Sequence, residues 1–152
     1  MATTARLIPI VILFGQSNAN SDAIITATFQ RVAAAGGLLV HSAVNGSPLS
    51  DRIGQSGTNW SASSDGDQGS LLASLIAQVR AMIDPNSPSY IRGAYVESAI
   101  WIHGGADIFN GNAAEEYEAN LAAVHRTMTD AFGNHDMVIA GMADASLENR
   151  HL

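Results

Sequence analysis

The chain has 152 residues, enough for one domain with a sizeable buried core, and at 47% hydrophobic and 14% charged residues it has the composition of a compact globule rather than a disordered chain. Seven basic residues stand against fourteen acidic ones, a net charge of −7 with no Lys/Arg cluster, which speaks against nucleic acid and anionic membranes as partners. There is no Cys, so neither a disulfide framework nor a thiolate metal site is available.

At the N-terminus, Arg6 followed by an apolar run and small residues has the outline of a signal peptide. The run is short and contains Pro9, however, and residues 7–14 read instead as a buried strand of a parallel sheet. Directly after it come Gly15, Gln16, Ser17 and Asn18. The carboxyl ends of strands in open α/β sheets are where catalytic groups collect, so Ser17 is a candidate nucleophile; on spacing alone it could equally cap the next helix. Residues 22–35 favour that helix, and 38–44 form a second apolar run after Gly36 and Gly37.

A Gly/Ser/Asn/Asp-rich connection spans 45–69, a length that in compact domains is usually functional or mobile. Leu71, Leu72, Leu75, Ile76, Val79 and Met82 recur at helical spacing over 70–83, and Asp84-Pro85 stops that helix. A third strand is expected over 94–102. A third helix is expected over 113–132, with Tyr117, Leu121, Val124 and Met128 on one face and Gly133 at its end. The fourth strand is expected over 137–143. This alternation predicts a three-layer α/β/α sandwich around a flavodoxin-like parallel sheet, with no repeat, no linker and no stretch as long as a membrane helix.

Three blocks occur in a meaningful order: Gly15-Gln16-Ser17-Asn18, then Asn45-Gly46-Ser47-Pro48-Leu49, then Trp101-Ile102-His103-Gly104-Gly105-Ala106-Asp107. They resemble the GQSN, GGTPL and WxQGExD blocks of the sialate O-acetylesterase-like branch of the SGNH hydrolases, which also holds acetylxylan esterases. The resemblance runs from about residue 7 to about residue 143. It implies a serine esterase removing acetyl groups from a carbohydrate or other small ester, with Ser17 as nucleophile and no cofactor or metal. It also implies an oxyanion hole made by the backbone N–H groups of Ser17 and Gly46 and a side chain at position 103. A glycine at 46 lets backbone approach a ligand, although Asn45-Gly46 alone would read as an ordinary turn.

The third block departs from the family. His103 stands in place of Gln and Gly105 in place of Glu. Imidazole still donates a hydrogen bond, whereas loss of the carboxylate alters the pocket edge. Asp107 keeps the family residue and reads as a cap or turn acceptor, and Trp101 as core. The family's catalytic His sits in a DxxH motif after a fifth strand. In this sequence, Glu148 and His151 have ExxH spacing, which makes His151 the candidate base, but they follow the fourth strand without another between; the alternative is a terminal surface His, and the single domain over 1–152 is expected to be incomplete at its C-terminal side. His41 reads as a satisfied residue of the second strand, His125 lies on a helix, and His135 lies in the loop before the fourth strand. No pair of histidines gives a metal signature such as HExxH.

Two other readings stay open. One is a catalytically impaired or truncated relative that binds carbohydrate. The other is a module completed by another chain; an unpaired fourth strand is an apolar edge that proteins cover, here by a second copy, by another chain or by residues 144–152 folding back.

Overall fold

The computed structural model describes residues 6–49, 59–61, 69–102 and 114–140. Four strands, β1 (Ile8–Gly15), β2 (Leu38–Ala43), β3 (Ala94–Ile102) and β4 (Asp136–Ala140), form one sheet in the order β2-β1-β3-β4, and every pair is parallel. The helices are α1 (Asp22–Ala34), α2 (Ser70–Ile83) and α3 (Ala114–Phe132). The expected α/β architecture is therefore present. Within the described residues the element bounds differ from those read in the sequence by one residue at most, and residues 141–143, expected to end β4, lie outside the described residues.

Side chains of β1 alternate between two cores, as strand geometry requires. Ile10, Ile12 and Phe14 join the larger core with Leu72, Leu75 and Val79 of α2 and Leu121, Val124 and Met128 of α3. Leu13 faces the other way, into a smaller cluster with Ala19, Ile102 and the partly buried Ile24 and Ile25 of α1. The helices thus lie on opposite faces of the sheet, which makes three layers.

The pairing of β1 with β3 contains one irregularity. Ile10 pairs with Val96 but Val11 pairs with Ser98, leaving the exposed Glu97 without a counterpart. Such a bulge reverses the facing of everything beyond it. Ala99 and Trp101 consequently join the larger core instead of Ser98 and Ile100. Trp101 then meets Phe14 edge-on at 5.1 Å between ring centroids, and Trp60 from the long connection closes the group at 5.4 Å from Phe14 and 6.0 Å from Trp101. All three rings are fully buried. Trp101 also donates its indole N–H to the Tyr117 hydroxyl on α3 (2.7 Å).

Cover is thinner on the β4 side. Val138 and Ile139 are 51% and 55% exposed, although both lie in a strand. A groove of about 400 Å³ between α3 and β4 is lined by Glu118, Leu121, His125, Met137 and Ile139. On the α1 face, a second groove of about 450 Å³ runs past Val11, Ile24, Thr28, Arg31 and Ile100. No described helix is long and apolar enough to cross a membrane.

These packing differences set the expected costs of substitution. Phe14→Ala should lose about 3–5 kcal/mol in urea unfolding, the usual range for a buried aromatic. Val138→Thr should stay within about 0.5 kcal/mol, as surface changes do. Deleting Glu97 would restore the register and turn Trp101 out of the aromatic group, so that variant is expected to lack a cooperative unfolding transition.

Candidate active site

β1 ends at Gly15, where the backbone has φ +138° and a Cβ would fall 2.3 Å from the Ile102 carbonyl oxygen. Only glycine fits, because the conformation and the contact each exclude a side chain. The next residue, Gln16, donates its N–H to that same carbonyl (3.3 Å), so the chain leaves β1 pressed against the end of β3. It then makes a single 3-10 turn, Ser17–Asn20, closed by the Ala19 N–H on the Gln16 carbonyl (2.9 Å). Ser17 and Asn18 are exposed on this turn, whereas Ala19 is wholly buried.

The alternative of Ser17 as a helix cap does not hold. The residue flanking the start of α1 is Ser21, and it makes no side-chain cap hydrogen bond. Ser17 stands one turn earlier, presented to solvent at the carboxyl end of the sheet.

Gly46 comes to the same end from the neighbouring strand. After β2 the chain turns back through Asn45 and Gly46, with Gly46 at φ +71° and the Ser47 N–H on the Val44 carbonyl (3.2 Å). Nothing lies within 4 Å of where a Gly46 Cβ would be, so its backbone borders open space. Three hydrogen bonds brace this turn. The Ser47 hydroxyl donates to the Val44 carbonyl (2.7 Å), the Trp60 indole N–H donates to the Ser47 hydroxyl (2.9 Å), and the Val44 N–H donates to the Gly15 carbonyl (3.3 Å). The two turns also touch directly, Asn20 Nδ2 donating to Asn45 Oδ1 at 3.4 Å.

Part of the long connection is therefore built into the site's floor. Trp60 donates its backbone N–H to the Pro48 carbonyl (3.0 Å), and the carbonyls of Asn59 and Ser61 accept the N–H groups of Leu71 (3.3 Å) and Gly69 (2.8 Å) at the start of α2. Asn59 Oδ1 accepts the Ser61 hydroxyl (2.8 Å) and the Ser61 N–H (3.2 Å). Trp60 was not singled out in the sequence. The available signal was a large aromatic isolated among Ser, Asn and Gly, which has few reasons to be there unless it is buried.

The third expected contributor follows Ile102, which pairs with Gly15 and so brings the chain out of β3 beside the serine turn. His103 itself, with Gly105 and Asp107, lies outside the described residues, as do Glu148 and His151. Among the described histidines, His41 is near the site: it sits opposite Leu13 on β2, and its Nε2–H donates to the Ala19 carbonyl at 2.9 Å. The other two belong to the far end. His135 immediately precedes β4, whose first residue pairs with Ser98, four residues before Ile102. At about 3.3 Å per residue that is over 13 Å from the level of Gly15. There His125 and His135 stack edge to face at 5.2 Å, and His135 Nδ1–H donates to the Gly133 carbonyl (2.9 Å). Neither can serve Ser17.

No three His, Asp or Glu side chains among the described residues are grouped to hold a metal ion. The two grooves flanking the sheet are both separate from Ser17. Compared with family models, curated proteins and solved structures, the chain finds no match in any of the three.

Because Gly15 combines a positive φ with the close Ile102 carbonyl, Gly15→Ala should destabilise the fold by at least about 2 kcal/mol in urea unfolding, from backbone strain of about 1–3 kcal/mol plus the collision. Gly46→Ala meets no atom and should cost only the strain, about 1–2 kcal/mol.

Proposed function

We propose that the protein is a serine esterase that removes acetyl groups from a carbohydrate or a similar small ester. The observation that carries this reading is the presentation of Ser17. It is exposed on a tight turn immediately after a central parallel strand, braced against the neighbouring turn that carries Gly46. The carbohydrate substrate rests on the resemblance of the three sequence blocks to the acetylesterase branch.

In this reaction Ser17 Oγ attacks the acetyl carbonyl carbon while a base takes its proton. The carbonyl π electrons move onto oxygen, and the oxyanion is held by the backbone N–H groups of Ser17 and Gly46 and by the His103 side chain. Collapse expels the sugar alkoxide, which receives the proton, and water then releases acetate from the acyl-enzyme by the same steps. His151 is proposed as the base. The described histidines support looking beyond themselves, since His41 Nε2–H is given to Ala19 and His125 and His135 lie at the opposite end of the sheet.

A second reading is favoured by β4. Its exposed Val138 and Ile139 fit a module whose sheet is extended by a second copy or by another chain, with a role in carbohydrate binding or assembly. Light scattering of the isolated chain separates the two, a stable monomer counting against the extended sheet.

The esterase reading predicts turnover of p-nitrophenyl acetate that Ser17→Ala reduces at least about 1,000-fold, as removal of an activated nucleophile does. EDTA should leave the rate unchanged. His151→Ala should fall nearly as far as Ser17→Ala. Full activity in His151→Ala would assign the base elsewhere, and equal rates in Ser17→Ala and the unmodified protein would remove the esterase reading altogether.

A further inference from the structure

We infer that His41 is a positioning residue for Ser17, holding the serine turn through the Ala19 carbonyl. The catalytic half of this inference rests on Ser17 being the nucleophile; the mechanical half does not. Ser17 sits in a span of backbone with an anchor on each side. On one side the Gln16 N–H is bound to the Ile102 carbonyl of β3 (3.3 Å). On the other side is Ala19, which is held in three ways. Its methyl group is buried with Leu13 and Ile102, its N–H is given to the Gln16 carbonyl (2.9 Å), and its carbonyl accepts His41 Nε2–H from β2 (2.9 Å).

The bond from His41 is what ties the turn to the second strand. β2 also carries Ala43 and leads into the turn at Gly46, so one strand supports both the residue beside the nucleophile and the proposed oxyanion donor. A 3-10 turn of four residues has poor internal hydrogen-bond geometry and little intrinsic stability. Without the imidazole, the Ala19 carbonyl loses this partner, and the turn keeps only the buried Ala19 methyl, its internal bond and the long Asn20–Asn45 contact (3.4 Å), so it tilts more easily about the Gln16 anchor. Ser17 carries both the attacking oxygen and an N–H aimed at the oxyanion. A tilt therefore misplaces both together, and misplacement of about 1 Å is enough to cost about 100-fold in rate. Because the carbonyl accepts, the ring nitrogen must carry the proton, and a side chain of equal reach with an N–H can replace it.

The test compares His41→Phe, which keeps a ring and removes the donor, with His41→Gln, whose amide nitrogen lies as many bonds from Cα as Nε2. Two quantities are read: p-nitrophenyl acetate kinetics, and hydrogen exchange of the amides of residues 17–21. His41→Phe is expected to lower kcat about 10- to 100-fold with little change in KM, and to speed exchange in this segment at least about 10-fold, while His41→Gln restores most of both. Unchanged exchange and kcat in His41→Phe overturns the inference, and so does an equal loss in both variants, since the donor would then be irrelevant. If the unmodified protein has no esterase activity but exchange responds as described, the clamp stands and the esterase reading falls. Should His41→Phe fail to fold, His41→Asn, too short to reach Ala19, takes its place in the comparison with His41→Gln.

Discussion

Between Val96 and Ser98 the third strand carries one residue more than its neighbour, and that excess decides which side chains meet at the carboxyl end of the sheet. Below the bulge Val96 faces α2 and α3. Above it the facing reverses, so that Ala99 and Trp101 take up that side and Ile102 turns toward Ala19. Without the reversal Phe14 would have no ring beside it on β3, and Trp60 would close against Phe14 alone. The proposed site thus stands on a local departure from regular strand pairing about 13 Å beneath it, at 3.3 Å per residue.

Above that floor the construction is economical. Gly15 allows the β1 backbone to lie against the Ile102 carbonyl, and the Gln16 N–H then uses the oxygen that this approach brings near. The end of β2 contributes the turn at Gly46 and the end of β3 the Ile102 carbonyl, so the described residues around Ser17 come from three separate stretches of chain. Such a site is stiff where hydrogen bonds and buried rings surround it. It is open where Ser17, Asn18, Asn45 and Gly46 face solvent.

The layer order was legible because each strand is a mostly apolar run and each helix keeps its apolar spacing, signals that neighbouring segments do not disturb. The position of Ser17 was legible for the same reason: the end of a run marks the end of a strand. Other features were not. The bulge shows in the sequence only as a change of parity across the polar pair Glu97-Ser98, from Ala94 and Val96 to Ala99 and Trp101, which a polar pair in a strand does not by itself signal. Trp60 is a tertiary feature, its burial set by Phe14 and Trp101 rather than by its own polar neighbours. His41 reads in the sequence as a satisfied residue of the second strand, and it is satisfied, by a carbonyl 22 residues away whose position depends on the folded turn. Hydrogen bonds of that range leave no local pattern to find.

The aromatic group also gives the protein an optical property. Its two tryptophans, Trp60 and Trp101, are both fully buried in this one cluster, and each donates its indole N–H to a hydroxyl, of Ser47 and of Tyr117 respectively. Intrinsic fluorescence therefore samples a single locality, the floor beneath Ser17 and Gly46, and is silent about α1 and the exposed β4 edge. The emission is a local gauge of the turn after β2, carried by the native chain without any label.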